Sequence, residues 1–180
     1  MSILSSFLDR YKHYELIPNK FYFSVSENPI QSNSSEVIFS FSDYPKEFIF
    51  KANSPPSIRQ IYSFFDIIFH LWGSGKVVHF YSSTSDLAHS VFLICCFMMI
   101  HTNQSADLVF APFSLLSAKI RPFRHFDCNQ LYDLTVVNCL RSFERALKSK
   151  WFSAQSFNKE KYDFFQYFEQ NTDEISTTEN

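Results

Sequence analysis

Phenylalanine occurs 23 times in this 180-residue chain and glycine twice, and that imbalance limits the folds open to it. Large rings are stable where they are packed against one another. The chain therefore needs an extensive shared core, and a globule of this length can bury about 70% of the surface its unfolded form exposes. Glycine lets a backbone pass through positive φ or approach a ligand closely. With only Gly73 and Gly75, the chain has no glycine-rich loop to wrap around a phosphate.

Hydrophobic residues make up 46% and charged residues 19%, which excludes a disordered body. The net charge of −2, with Lys and Arg scattered, provides no basic field for nucleic acid. Cys95, Cys96, Cys128 and Cys139 follow neither a zinc spacing nor a disulfide framework, so no metal or other cofactor is expected. The first ten residues contain charges and no long apolar stretch, unlike a signal peptide. The run VFLICCFMMI, residues 91–100, falls well short of the roughly 20 apolar residues of a membrane-spanning helix. It predicts a buried core helix, and the expected compartment is cytoplasmic or nuclear.

The segments FYFSV (21–25) and VIFSFS (37–42) predict strands, and EFIFKANS (47–54) an extended edge segment. Either Ser54 or Ser57 could cap the helix that follows. With Ser57 as cap, Gln60 completes a capping box, Ile61, Phe65, Ile68 and Trp72 recur at helical spacing, and Gly73 marks the stop. KVVHF (76–80) predicts a short buried strand, leading through the loop YSSTSDLAHS into the apolar helix. A short helix interrupted at Pro112 follows. Val136, Leu140, Phe143 and Leu147 form the stripe of an amphipathic helix over about 130–150. A last helix is predicted from Asn158, its cap, to Glu169. Alternating strands and helices around one apolar helix imply an α/β sandwich with a short mixed sheet. The domain spans residues 1–170, and a polar, disordered tail occupies 171–180.

Several motifs carry a resemblance. They are Pro122, Phe123 and Arg124; then Tyr132, Leu134, Thr135 and Cys139; then Trp151, Phe152 and Tyr162. With LIPNKFYFSV and FSFSDYPKEFIFKA upstream, the stretch from Lys12 to Gln170 is similar to the amino-terminal domain (DSPn) of the cell-division-cycle fourteen phosphatases. The resemblance implies a dual-specificity-phosphatase-like sandwich with helices flanking the sheet. It also implies a non-catalytic role, because in that family the carboxy-terminal domain carries the Cys-x5-Arg loop.

That chemistry requires a thiolate nucleophile, backbone N–H groups and one Arg converging on phosphate at a helix N-terminus. Here Phe80 follows His79 at the end of the predicted strand, and six positions later stands Asp86. His79, Phe80 and Asp86 thus mark a degenerate phosphate-loop region, and no Cys-x5-Arg loop is expected. Ser82 to Ser85 with His79 or His89 could make a hydrolase of another kind, but no nucleophile elbow supports it. His79 and His70 are read as structural histidines.

The resemblance further implies that acidic residues on the last helix help select a basic residue after phosphoserine-proline. The corresponding positions are Asp163, Gln166 and Glu169, two acids and an amide. Read from the residues alone, Asp163 and Glu169 are solvated helix charges. Arg121 and Arg124 could clamp an anion or form intramolecular ion pairs. Phe164, Phe165, Tyr167 and Phe168 encircle the helix, so some rings must face outward and mark an interface. The partner is a phosphatase catalytic domain or a phosphoprotein substrate. The chain is expected to act either as a recognition or scaffold module, or as one component of an active phosphatase whose catalytic domain lies on a separate or longer chain.

Overall fold

The computed structural model describes residues 13–30, 35–50, 54–124 and 133–175, with side chains described as far as residue 167. Cys128, Tyr132, residues 51–53 of the expected edge segment and the expected beginning of the helix near residue 130 lie outside the described residues.

Four strands form one mixed sheet: β1 (His13–Ile17), β2 (Phe21–Val25), β3 (Glu36–Phe39) and β4 (Val77–Ser82), in the order β1-β2-β4-β3. β1 runs antiparallel to β2, whereas β2 and β3 both lie parallel to β4. The fold is α/β, as the sequence implies. β1 was not foreseen, because HYELI contains a charge and sits at an edge. Its signal was the turn that follows: Lys20 N–H donates to the Ile17 carbonyl at 3.0 Å while Asn19 takes φ 57° after Pro18.

Two expected extended segments differ. The 37–42 strand stops at Phe39, because Ser40 caps a 3-10 turn over Phe41–Asp43 and its N–H donates to Asp43 Oδ2 at 2.7 Å. Residues 47–50 form no strand. Glu47 and Phe48 N–H groups fold back onto the Tyr44 carbonyl, which sends Phe48 into the core.

Helix α1 (Ile58–Gly73) starts at the Ser57 capping box, with Gln60 N–H on Ser57 Oγ at 3.3 Å and Ser57 N–H on Gln60 Oε1 at 2.8 Å. It ends at Gly73, and Gly75 takes φ +73°, a conformation that L side chains rarely adopt. Helix α2 (Leu87–Thr102) is apolar all round and buried along nearly its whole length. Helix α3 (Ala106–Phe110) passes into a 3-10 turn at Ala111–Leu116, where Pro112 removes a donor. Helix α4 (Val136–Lys148) buries Val136, Leu140 and Phe143. Helix α5 (Lys159–Ile175) is capped by Asn158, whose Oδ1 accepts the Lys161 N–H at 2.8 Å, and continues past Glu169, where the sequence placed its end. Among the described residues, no helix is long and apolar enough to cross a membrane.

Phe80, in the central strand, organises the core. Its ring centre lies 5.0 Å from those of Phe39 and Phe41, 5.2 Å from Phe64 and 5.7 Å from Phe23. These contacts join three strands to α1. Truncation to alanine removes all four ring contacts, so Phe80→Ala is expected to cost about 3–5 kcal/mol in chemical denaturation. Ser57→Ala, which loses one cap, is expected to cost only about 1 kcal/mol.

Candidate functional site

In a sheet with parallel strands, ligands bind outside the carboxyl ends of those strands. Here the ends of β2, β3 and β4 open into a crevice of about 240 Å³ lined by Ser26, Glu27, Ser40, Ser42, Ser83 and Asp86, among others. Among the described residues that line it there is neither a thiol nor a cation. The connection from β4 to α2 is short, residues 83–86, because β4 continues through Ser82, two residues beyond the end that the sequence placed at Phe80. His79 and Phe80 therefore lie within the strand, and Asp86 is the N-cap residue of α2.

The polar groups of this loop are already engaged. Thr84 donates its N–H at 2.9 Å, and also its hydroxyl, to Glu27 Oε1. These two bonds, the hydroxyl's first, hold the Glu27 carboxyl below its ordinary pKa, so it remains ionised. Ser83 Oγ donates to Asp86 Oδ2 at 3.0 Å. Two carboxylates thus border the place where an oxyanion would sit at the start of α2, and like charge repels.

His79 points to the opposite face of the sheet from Phe80. Its Nε2 lies 2.9 Å from Ser24 Oγ, which in turn lies 3.0 Å from His13 Nδ1. Burial, with a smaller contribution from His13, lowers the His79 pKa to about 4. It is a neutral, hydrogen-bonded structural imidazole. His89 is also buried, stacked on Phe50 with ring centres 4.2 Å apart and with Nε2 on the Ser54 carbonyl at 3.0 Å. Neither imidazole has a hydrogen bond to a hydroxyl of residues 82–85 that would support the serine-hydrolase alternative. His70 is exposed on α1, and the histidine that meets Trp72 is His101, at 4.9 Å.

The expectation that no cysteine begins a Cys-x5-Arg run overlooked Cys139, which has Arg145 six positions after it. Both residues lie within α4, so the intervening backbone is helical; the Cys139 N–H, for example, bonds to the Thr135 carbonyl at 3.2 Å. Six residues along a helix separate the two side chains by about 9 Å of rise and put them on different faces. Burial pushes the Cys139 thiol up to about 11, away from the low pKa of a nucleophilic thiolate. Cys95 and Cys96 are deeply buried, and their pKa values are also raised.

On α5, Asp163 is paired, with Oδ1 2.8 Å from Arg59 Nε. Gln166 is exposed on the same helix, and the Glu169 side chain lies outside the described residues. Phe164, Phe165 and Tyr167 are exposed, as is Trp151 at 88%. Arg124 meets Asp133 at 3.7 Å, an intramolecular pair. Among the described residues, no group of three or more His, Cys, Asp or Glu could hold a metal ion.

Because His79 is held near 4 in the folded chain and near 6.5 in the unfolded one, the unfolded state binds the extra proton between those values. Stability is therefore expected to fall as pH drops from 6.5 towards 4, with His89, also lowered, acting in the same direction. His79→Gln should flatten this fall in urea titrations performed across the window, even if it lowers stability at pH 7.

Comparison with known proteins places the chain in a family. A family described as dual specificity protein phosphatase, N-terminal half, matches residues 15–146. Tyrosine-protein phosphatase CDC14 of Saccharomyces cerevisiae is 27% identical over 123 residues, which is 64% of this chain and 22% of that protein. The chain thus aligns with about a fifth of its relative's length. On the family match, the chain belongs to the N-terminal halves of dual specificity protein phosphatases.

Proposed function

We propose that this chain is a non-catalytic phosphatase-fold module that recognises substrate for, or serves as a scaffold to, a phosphatase catalytic domain. One observation carries the reading: the loop after β4 presents hydroxyls and carboxylates, with Glu27 bonded to the Thr84 amide, where a phosphatase would hold the substrate phosphate. The formal Cys-x5-Arg run at Cys139 supports the same reading, since a helix cannot gather its amides, thiol and guanidinium around one anion.

Recognition falls to α5. Asp163 and Gln166 lie on it, Glu169 follows, and the exposed Phe165 together with Trp151 supplies apolar surface for a catalytic domain. The substrates in view are phosphoproteins with a basic residue after phosphoserine-proline. A second reading is favoured by the partial match: because the chain aligns with 22% of a tyrosine-protein phosphatase, it is one component of an active enzyme whose catalytic domain lies on a separate or longer chain.

The test uses the purified chain with and without a Cys-x5-Arg phosphatase domain from the same cell, and a phosphoserine-proline-x-lysine peptide. The chain alone is expected to be silent, to bind the catalytic domain, and to sharpen its preference for the lysine peptide. Phe165→Ser should weaken the complex by about tenfold or less, the effect of an interface ring outside the strongest contacts. Turnover by the chain alone that Cys139→Ser abolishes would refute the non-catalytic reading.

A further inference from the structure

The face of α5 that bears Asp163 meets α1 through a small ionic network. Arg59 Nε lies 2.8 Å from Asp163 Oδ1 and 3.1 Å from Oδ2, so both carboxylate oxygens are engaged. Arg59 Nη1 also reaches Glu47 Oε2 at 3.2 Å. Glu47 has two further donors, Lys159 Nζ and Ser63 Oγ, each at 2.7 Å. Burial works to raise the Glu47 carboxyl, but those hydrogen bonds and the charges of Lys159 and Arg59 outweigh it and hold its pKa below the ordinary value.

Two features of this network matter for binding. First, the Asp163 side chain is 45% exposed and that of Arg59 27%, so the pair sits at the surface, where ion pairs are weak and exchange readily. Second, Arg59 already reaches Glu47, so on leaving Asp163 its guanidinium keeps a carboxylate partner. Arg59 also lines a groove of about 350 Å³ with Lys46, Glu47 and Ile49, which gives the guanidinium room to turn. A half-exposed carboxylate that already holds one guanidinium has the chemistry to hold a lysine or arginine side chain of a partner instead.

We infer that Arg59 is a specificity-setting residue, an internal cation that occupies Asp163 in the unbound chain and competes with the basic residue of the substrate peptide. The inference rests on the reading of α5 as the recognition face. A lysine of the incoming peptide replaces Arg59 on Asp163, and Arg59 turns towards Glu47 and the adjoining groove. The preference for a basic residue is thereby weaker than Asp163 alone would give.

Fluorescence anisotropy of labelled phosphoserine-proline-x-lysine and phosphoserine-proline-x-alanine peptides on the full chain tests this. Arg59→Gln is expected to tighten the lysine peptide roughly two- to fivefold, the yield of one exposed ion pair, and to leave the alanine peptide unchanged. Adding Asp163→Asn to Arg59→Gln should return the two peptides to equal affinity. If Asp163→Asn abolishes lysine preference but Arg59→Gln leaves it unaltered or weakens it, the competitor role is overturned and the recognition face survives. If the wild type and every variant bind both peptides equally, the recognition reading itself fails. Thermal unfolding of each variant reports its integrity, and Arg59→Met, which keeps the stem and loses the charge, repeats the test if Arg59→Gln unfolds at a lower temperature.

Discussion

The packing of Phe80 against Phe23, Phe39, Phe41 and Phe64 is the contact on which the rest of the structure depends. It fixes β4 between its two parallel neighbours and brings α1 against the sheet. It also sets the register of β4, so that the alternate residue His79 faces the other side and the strand continues to Ser82. A ring that anchors the core cannot at the same time belong to a catalytic loop. The short connection beyond Ser82 therefore has only hydroxyls and Asp86 to present, and Glu27 fills the nearest amide.

The two ends of the molecule differ in character. At the carboxyl ends of the parallel strands the charge is negative and the hydrogen bonds are internal, which suits a closed surface better than a phosphate site. At α5 the side chains face outward: Phe165 and Tyr167 are exposed, and the helix is tied to the body through Arg59, Lys159 and the contact of Phe157 with Tyr62 at 4.8 Å. On the proposed reading, recognition chemistry concentrates on this last helix.

Much of the fold was legible in the residues, and the reasons are local. The Ser57–Gln60 box, the all-apolar run of α2 and the stripe of α4 each declare themselves within a few turns of helix. β1 did not, because an edge strand with Glu15 and an exposed His13 lacks the alternation of a half-buried one. The segment after Pro45 misled because its phenylalanines suit a strand, whereas the Ser40–Asp43 cap and the Tyr44 carbonyl turn the chain. The site was less legible still. Arg59 and Asp163 are 104 residues apart, and Glu27 and Thr84 are 57 apart. No local pattern announces such pairs. The Cys139 run shows the converse, a sequence spacing without the loop that gives it chemistry, since only a non-helical backbone can aim successive amides at one anion.

The central claim is that the loop following β4 does not hold phosphate. Titration of the isotope-labelled chain with inorganic phosphate or vanadate, followed through the backbone amide signals of Ser83 to Leu87 and of Cys139 to Arg145, tests it most directly. The account predicts no saturable shift in either set at millimolar anion. A saturable shift centred on Thr84, or on the Cys139 helix, would contradict it and restore an oxyanion site to this chain.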